Sequence, residues 1–117
     1  MDSLEIESLI TKAYAAFNRR DIEAVLSLMH PDVHWPNGWE GGYVEGRDAV
    51  RNYWTRQWSE INPNVSPQQI TQLPDGRVEV NVRQFVKDLQ GNLLADVSIK
   101  HVYTLDADLI KTMEIVE

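Results

Sequence analysis

The sequence predicts an α+β domain in which three N-terminal helices pack on a strongly curved antiparallel sheet. Two observations support this fold class. Apolar residues recur at helical spacing in the first half of the chain, and from Val65 onward they alternate with polar residues, as in half-buried strands. Because the helices precede an antiparallel meander, we expect them to cover one face of a sheet that bends around them and forms a cone with a central cavity.

The helical half is expected to open with a hairpin of two helices. Asp2 or Ser3 can cap the first helix, whose apolar stripe consists of Ile6, Leu9, Ile10, Ala13 and Phe17. Asp21 is a good N-cap for the second helix, which Pro31 is expected to end. A third helix begins at residues 47–48, carries Val50, Tyr53, Trp54 and Trp58 on its buried face, and ends at residues 62–64.

The remaining segments predict strands and turns. Residues 33–35 form a brief strand, and residues 37–46, which hold four of the six glycines, form a loop. The meander starts with a strand from Val65 to Leu73, placed at an edge because it contains Pro67. Turns at residues 90–92 and 106–108 separate the later strands, and the last strand ends at Glu117. One strand face combines Val97, Ile99, His101, Tyr103 and Leu105.

Length, composition and charge narrow the class of protein. The chain has 117 residues, 43% hydrophobic and 25% charged, which predicts one globular domain over residues 1–117. A formal net charge of −7 disfavours nucleic acid as a partner, since nucleic acids select basic patches. No membrane-spanning run or secretory leader is expected, and the absence of cysteine indicates a reducing, cytoplasmic location.

Four segments carry a resemblance to a known family, namely Ala15–Asp21, His30–Val33, Gly46–Val50 and His101–Leu105. Together with the order of elements, they resemble the nuclear transport factor 2-like superfamily, whose fold is a cystatin-like roll. Within it, the chain is similar to the SnoaL-like and ketosteroid-isomerase-like group. The resemblance covers essentially the whole chain and implies a hydrophobic pocket and a homodimer formed through the outer sheet face. It specifies no reaction, because this fold hosts isomerases, cyclases, lyases and non-catalytic binders.

The resemblance also tests one particular chemistry. Steroid isomerases of this family use a carboxylate base on the first strand, with a tyrosine and a protonated aspartate as oxyanion donors. In this chain the base position falls on Trp35, and the tyrosine position falls on Ala13, beside Tyr14. The third position falls on Lys100 or His101, and strand alternation favours His101 because the cavity face is the apolar one. Classical ketosteroid isomerisation is therefore not expected.

We predict that His101 and Tyr14 are the catalytic residues. An imidazole has an unperturbed pKa of ~6.5, which suits proton transfer at neutral pH. The alternative for His101 is a core histidine satisfied by one hydrogen bond. We predict that the substrate contacts Trp35, Trp39, Tyr53, Trp54 and Tyr103.

No cofactor and no metal are expected. His30 suits the C-terminal end of a helix, Asp32 a turn, and His34 the outward side of its strand, so these groups do not converge with His101. Glu40 and Glu45 flank the glycines and could reach the mouth of the cavity. No glycine pattern typical of nucleotide binding is present.

Two functional interpretations stay open. The first is a cofactor-independent isomerase, cyclase or lyase acting on a small hydrophobic carbonyl compound, with Tyr14 or Tyr53 donating a hydrogen bond. The second is a non-catalytic small-molecule-binding dimer, which the missing carboxylate base favours. A dimeric protein-interaction module is a third, less favoured interpretation.

Overall fold

Residues 1–116, the part of the chain that the computed structural model describes, form three helices and six strands. The helices are α1 (Ser3–Asn18), α2 (Ile22–Leu26) and α3 (Arg47–Trp58). The strands are β1 (Met29–Pro36), β2 (Tyr43–Glu45), β3 (Ile61–Gln72), β4 (Val78–Asp88), β5 (Leu93–Asp106) and β6 (Leu109–Val116). Glu117, at which the last strand was expected to end, lies outside the described residues. None of these helices is long and apolar enough to cross a membrane.

The strands form one curved sheet in the order β2-β1-β6-β5-β4-β3. Strand β1 runs parallel to β6, with Met29 opposite Ile110, and every other neighbouring pair is antiparallel. Strand β3 lies at an edge, where Pro67 costs no ladder hydrogen bond to a further strand. The predicted α+β cone is confirmed, with one parallel strand pair that the expected all-antiparallel sheet did not contain.

Helix α1 is fixed at both ends by side-chain hydrogen bonds. Asp2 caps its start, and the backbone N–H of Glu5 donates to the Asp2 carboxylate over 2.8 Å. At the other end, the Asn18 amide accepts from the backbone N–H of Val65 over 2.9 Å and donates to its carbonyl over 2.6 Å. Because Val65 lies in β3, Asn18 joins the end of α1 to the edge of the sheet.

Strand β1 begins earlier than the sequence indicated. Helix α2 ends at Leu26 and not at Pro31, so the predicted helix-end position of His30 is wrong. The predicted turn at Asp32 is also wrong, since this residue lies within the strand. Met29 and Val33 are fully buried, and their burial together with pairing to β6 outweighs the helical pattern.

Helix α3 also ends earlier than predicted, at Trp58. Residues 62–64 belong to β3, where Pro63 lies opposite Val86 in β4. The predicted loop from 37 to 46 contains the short strand β2, with Glu45 opposite His34. In both segments the pairing with another strand outweighs the local stop or loop signal.

Strand β5 keeps its predicted alternation over most of its length. Val97, Ile99, His101 and Tyr103 all line the central cavity, as predicted. The ladder with β6 is irregular between Thr104 and Leu105. Leu105 therefore departs from the cavity wall and packs only partly buried against the core, which corrects its predicted place on the cavity face.

Candidate functional site

A cavity of about 360 Å³ lies between α1, α3 and the inner face of the sheet. Its wall is mostly aliphatic and aromatic, and among the described residues that line it there is no aspartate, glutamate, lysine or arginine. Hydrogen-bonding side chains other than tryptophan on this wall are Tyr14, Tyr53, Gln57, Gln84, His101 and Tyr103. An apolar cavity with a few polar groups is typical of a small-molecule site.

Three polar side chains on the cavity wall form one hydrogen-bonded cluster. The Tyr14 hydroxyl lies 2.7 Å from Nδ1 of His101, and the Tyr103 hydroxyl donates to the Tyr14 hydroxyl over 2.8 Å. With Tyr103 donating to its oxygen, Tyr14 directs its own hydrogen to Nδ1. The rings of Tyr14 and His101 are nearly parallel, with centroids 5.9 Å apart. Helix α1 and strand β5 thus supply a joined polar group to an otherwise apolar wall.

The cluster is uncharged at neutral pH. Burial lowers the pKa of His101 to about 4, so the imidazole is neutral. Burial likewise raises the pKa of Tyr14 far above its ordinary value, and the pKa of Tyr103 is raised for the same reason although its hydrogen bond to Tyr14 lowers it in part. Within residues 1–116, Nε2 of His101 has no hydrogen-bond partner. This nitrogen is available to a bound molecule.

Tryptophan side chains form much of the remaining wall. The Trp35 ring meets Trp54 edge-on at 5.6 Å between centroids and lies tilted against Tyr103 at 6.3 Å. Trp39 lies in the loop between β1 and β2, where its backbone N–H donates to the Asn37 side chain over 3.2 Å. Trp35 therefore connects the α3 side of the cavity to the β5 side.

A second polar pair lies on α3. Nε2 of Gln57 donates to the Tyr53 hydroxyl over 3.1 Å, and both side chains are buried. Burial raises the pKa of Tyr53 to about 12, and the nearby backbone of Trp39 and Gly38 lowers it in part. The loop that carries these two backbone groups is held to α3 by Glu40, whose carboxylate accepts from Arg56 over 3.0 Å.

The structure brings the sequence-predicted site residues to one place. Those that line the cavity are Tyr14, Trp35, Trp39, Tyr53, Trp54, His101 and Tyr103. Their catalytic and binding roles stay predictions. Gln57 was missed, although it follows Tyr53 by four positions and so lies on the same helix face, a signal that the sequence already contained.

The other titratable groups considered from the sequence lie outside the cavity. His34 stacks on Tyr43 at 4.2 Å between centroids, and its Nδ1 lies 3.1 Å from the Glu45 carboxylate. His30 lies 3.5 Å from the carboxylate of Asp106. At the surface, Glu45 pairs with His34 and Glu40 pairs with Arg56. Over residues 1–116, no three histidine, aspartate or glutamate side chains are grouped so that they could hold a metal ion.

Comparison with known proteins places the fold and the family. Residues 10–91 match the SnoaL-like domain family. The chain is similar to TerC, whose crystal structure was determined with polyporic acid, at 30% identity, with 97% of this chain and 91% of that chain covered and a TM-score of 0.82. No curated protein matches the sequence.

Two further solved structures show the same fold at lower identity. An NTF2-like protein of unknown function from Burkholderia pseudomallei is 24% identical, with 98% of this chain and 90% of that chain covered and a TM-score of 0.83. Rv0760c from Mycobacterium tuberculosis, in complex with estradiol-17β-hemisuccinate, is 17% identical, with 95% and 92% covered and a TM-score of 0.81.

Proposed function

The chain belongs to the SnoaL-like family, and from this premise we propose that it is a cofactor-independent isomerase, cyclase or lyase for a small, largely hydrophobic carbonyl compound. The observation that carries the proposal is the hydrogen bond between Tyr14 and Nδ1 of His101. It leaves Nε2 as the unpartnered imidazole nitrogen of a cavity that is otherwise mostly apolar. The TerC complex with polyporic acid supports a small hydrophobic molecule as the partner.

In the proposed reaction, His101 acts as the tautomer that carries its hydrogen on Nδ1, so that Nε2 has a free lone pair and accepts a proton from the carbon next to the substrate carbonyl. The C–H bond breaks, its electron pair forms an enolate, and the imidazolium returns the proton to another carbon for isomerisation. In this tautomer Nδ1 already donates its hydrogen to the Tyr14 oxygen, which lies at hydrogen-bond distance and stabilises the imidazolium once Nε2 is protonated. Tyr14 then donates to Tyr103, which is the reverse of the direction in the tautomer with its hydrogen on Nε2.

The lowered basicity of His101 restricts the substrate class. With a pKa of about 4, the buried imidazole is a weak base for an ordinary ketone. The proposal therefore applies to carbonyl compounds whose α-hydrogen is unusually acidic, such as benzylic ketones or polyketide-like β-dicarbonyl compounds. The rings of Trp35, Trp39 and Trp54 support such substrates because they offer apolar contact and exclude water from the enolate.

Exchange of α-hydrogens in heavy water tests this proposal without knowledge of the natural substrate. The probe is 2-tetralone, an apolar benzylic ketone, followed by proton NMR. We expect the protein to accelerate exchange and His101→Ala to return it to the solvent rate. His34→Ala is the matched control, because His34 lies outside the cavity. This variant should accelerate exchange of the 2-tetralone hydrogens as much as the unmodified protein does. Acceleration that survives in His101→Ala would assign the chemistry to another group.

A second candidate function is a non-catalytic small-molecule binder. It is favoured by the absence of any carboxylate among the described lining residues and by the lowered pKa of His101. Quenching of tryptophan fluorescence by 2-tetralone without accelerated exchange would support this candidate over the enzyme. A change in neither signal would count against both.

The proposal includes a homodimer formed through the outer sheet face. It also includes a cytoplasmic location, which the absence of cysteine supports. Side chains on the outer face of the sheet contact one another. Arg83 pairs with Asp96 over 3.0 Å and covers the ring of Phe85 at 4.5 Å. Sedimentation equilibrium tests the dimer, and Arg83→Glu should shift it toward monomer because it reverses a charge on this face and places that charge beside Asp96.

A further inference from the structure

We infer that Tyr53 and Gln57 form a second polar subsite in the cavity, which binds a hydroxyl group of the ligand. This inference rests on the proposed function, since it concerns the molecule held in the same cavity. The two side chains lie one helical turn apart on α3, and both line the cavity. Tyr53 is only 3% exposed and Gln57 only 8% exposed. Buried polar groups of this kind are costly unless all their hydrogen-bonding capacity is used.

Among the described residues, the pair leaves three hydrogen-bonding functions unused, namely the Tyr53 hydrogen, the second Nε2 hydrogen of Gln57 and the Gln57 carbonyl oxygen. Gln57 Nε2 donates to the Tyr53 oxygen over 3.1 Å. With its oxygen occupied as an acceptor, Tyr53 still has its own hydrogen to donate. Within residues 1–116, no group donates to the Gln57 carbonyl oxygen.

A hydroxyl group fits this pair because it both donates and accepts. Its hydrogen can go to the Gln57 carbonyl oxygen, and its oxygen can accept from the Tyr53 hydroxyl. A carbonyl or an ether could accept from the free donors of the pair but would leave the Gln57 carbonyl oxygen without a partner. A carboxylate would meet the unpartnered carbonyl oxygen with its own negative charge. The chemistry therefore selects an alcohol or a phenol.

The subsite is separate from the Tyr14–His101–Tyr103 cluster. Among the described residues, no hydrogen bond joins the pair to this cluster, and Trp35 contacts Trp54 on α3 and Tyr103 on β5. An apolar cavity of about 360 Å³ with polar groups in two places fits a ring compound with oxygen substituents at two ends. One oxygen then faces Nε2 of His101, and a hydroxyl group faces Tyr53 and Gln57.

A pair of probes that differ by one hydroxyl group tests the inference. The probes are 4,4′-dihydroxybiphenyl and 4-hydroxybiphenyl, and their Kd values are measured by quenching of tryptophan fluorescence. We expect the dihydroxy compound to bind about five- to tenfold more tightly, as for one or two added hydrogen bonds in a buried site. Gln57→Leu should reduce this ratio to about one.

Control variants keep the test specific. Tyr53→Phe removes only the hydroxyl and should also reduce the ratio, which covers the case in which Gln57→Leu disturbs folding. Gln69→Leu makes the same change at an exposed position of β3, outside the cavity, and should keep the ratio of the unmodified protein.

Each outcome has a distinct meaning. Equal affinity for the two probes, or a ratio that persists in both Gln57→Leu and Tyr53→Phe, overturns the second subsite while the proposed pocket stands. Binding of neither probe overturns the subsite together with the pocket that it belongs to. The inference is supported if Gln57→Leu and Tyr53→Phe both lose the preference for the dihydroxy probe and Gln69→Leu keeps it.

Discussion

The hydroxyl of Tyr14 and Nδ1 of His101 lie 2.7 Å apart, although 87 positions separate these residues in the chain. Their contact joins the middle of α1 to the middle of β5 inside the apolar cavity. Because both groups are buried, the bond replaces water contacts that neither group can recover in the folded protein. It orients the His101 ring in the cavity and contributes to the stability of the fold at the same time.

The free energy of unfolding should depend on pH through His101. The unfolded imidazole has a pKa of 6.5 and the folded one of about 4. Above pH 6.5 both are neutral, and as the pH falls from 6.5 towards 4 the unfolded state binds a proton that the folded state does not. This stabilisation is therefore present above pH 6.5 and lost below it, by about 2 kcal/mol between pH 7 and pH 4.5.

Urea unfolding of the protein and of His101→Gln at these two pH values measures the effect. Carboxylates titrate in the same range, so the quantity to compare is the difference between the two proteins. The variant should lose about 2 kcal/mol less than the unmodified protein over this interval. His34→Gln should behave like the unmodified protein, and equal losses in all three would contradict the assignment to His101.

Removal of the central hydroxyl of the cluster should cost more than removal of the terminal one. Tyr14→Phe leaves both the Tyr103 hydroxyl and Nδ1 of His101 without a partner, which should lower the free energy of unfolding by about 1–3 kcal/mol. Tyr103→Phe removes one donor and leaves the bond between Tyr14 and His101 in place. It should therefore lower the free energy of unfolding by only about 0.5–1.5 kcal/mol. Urea denaturation of the two variants gives the order, and a larger loss in Tyr103→Phe would refute it.

Trp35→Leu should weaken the binding of apolar ligands. The indole contacts both Trp54 and Tyr103 on the cavity wall, and a loss of roughly 50 Å² of apolar contact with a ligand corresponds to about a fivefold higher Kd. Titration calorimetry with 4-hydroxybiphenyl measures this change. Trp58→Leu is the matched control, because Trp58 does not line the cavity, and its Kd should stay within about twofold of the original. Similar losses in both variants would argue against a specific role for Trp35.

Asn18 should be required for stability at the joint between α1 and β3. Its amide both accepts from and donates to the backbone of Val65, so Asn18→Ala should lower the free energy of unfolding by about 1–3 kcal/mol. Asn18→Asp keeps the acceptor but places a carboxylate beside the Val65 carbonyl oxygen, and it should be no more stable than the alanine variant at pH 7. Thermal unfolding followed by circular dichroism tests this, and near-normal stability of the aspartate variant would show that the donor is dispensable.

Alternation along β5 predicted which residues face the cavity, because each residue of a regular strand is forced to the side opposite its neighbours. His101 and Tyr103 were placed correctly for this reason, and Leu105 was misplaced because the ladder is irregular just before it. A bulge depends on the partner strand, and the sequence of β5 alone contains no sign of it.

Contacts between distant segments account for what the sequence could not predict. The start of β1 at Met29 depends on Ile110, which lies opposite it in the last strand. The bond between Tyr14 and His101 depends on the packing of α1 across the sheet. Local pattern assigned both residues to the right elements, but the angle between helix and strand decides which side-chain atoms meet.

The parallel pairing of β1 with β6 affects the order of events during synthesis. β1 follows the helical hairpin directly, yet its parallel neighbour is the last strand of the described chain. Closing a contact over most of the chain length has a high entropic cost, so this pairing is expected late on the folding pathway. A nascent chain that lacks β6 leaves Met29 and Val33 without their cover and exposes the apolar lining to other chains. The protein is thus most vulnerable to aggregation just before β6 leaves the ribosome.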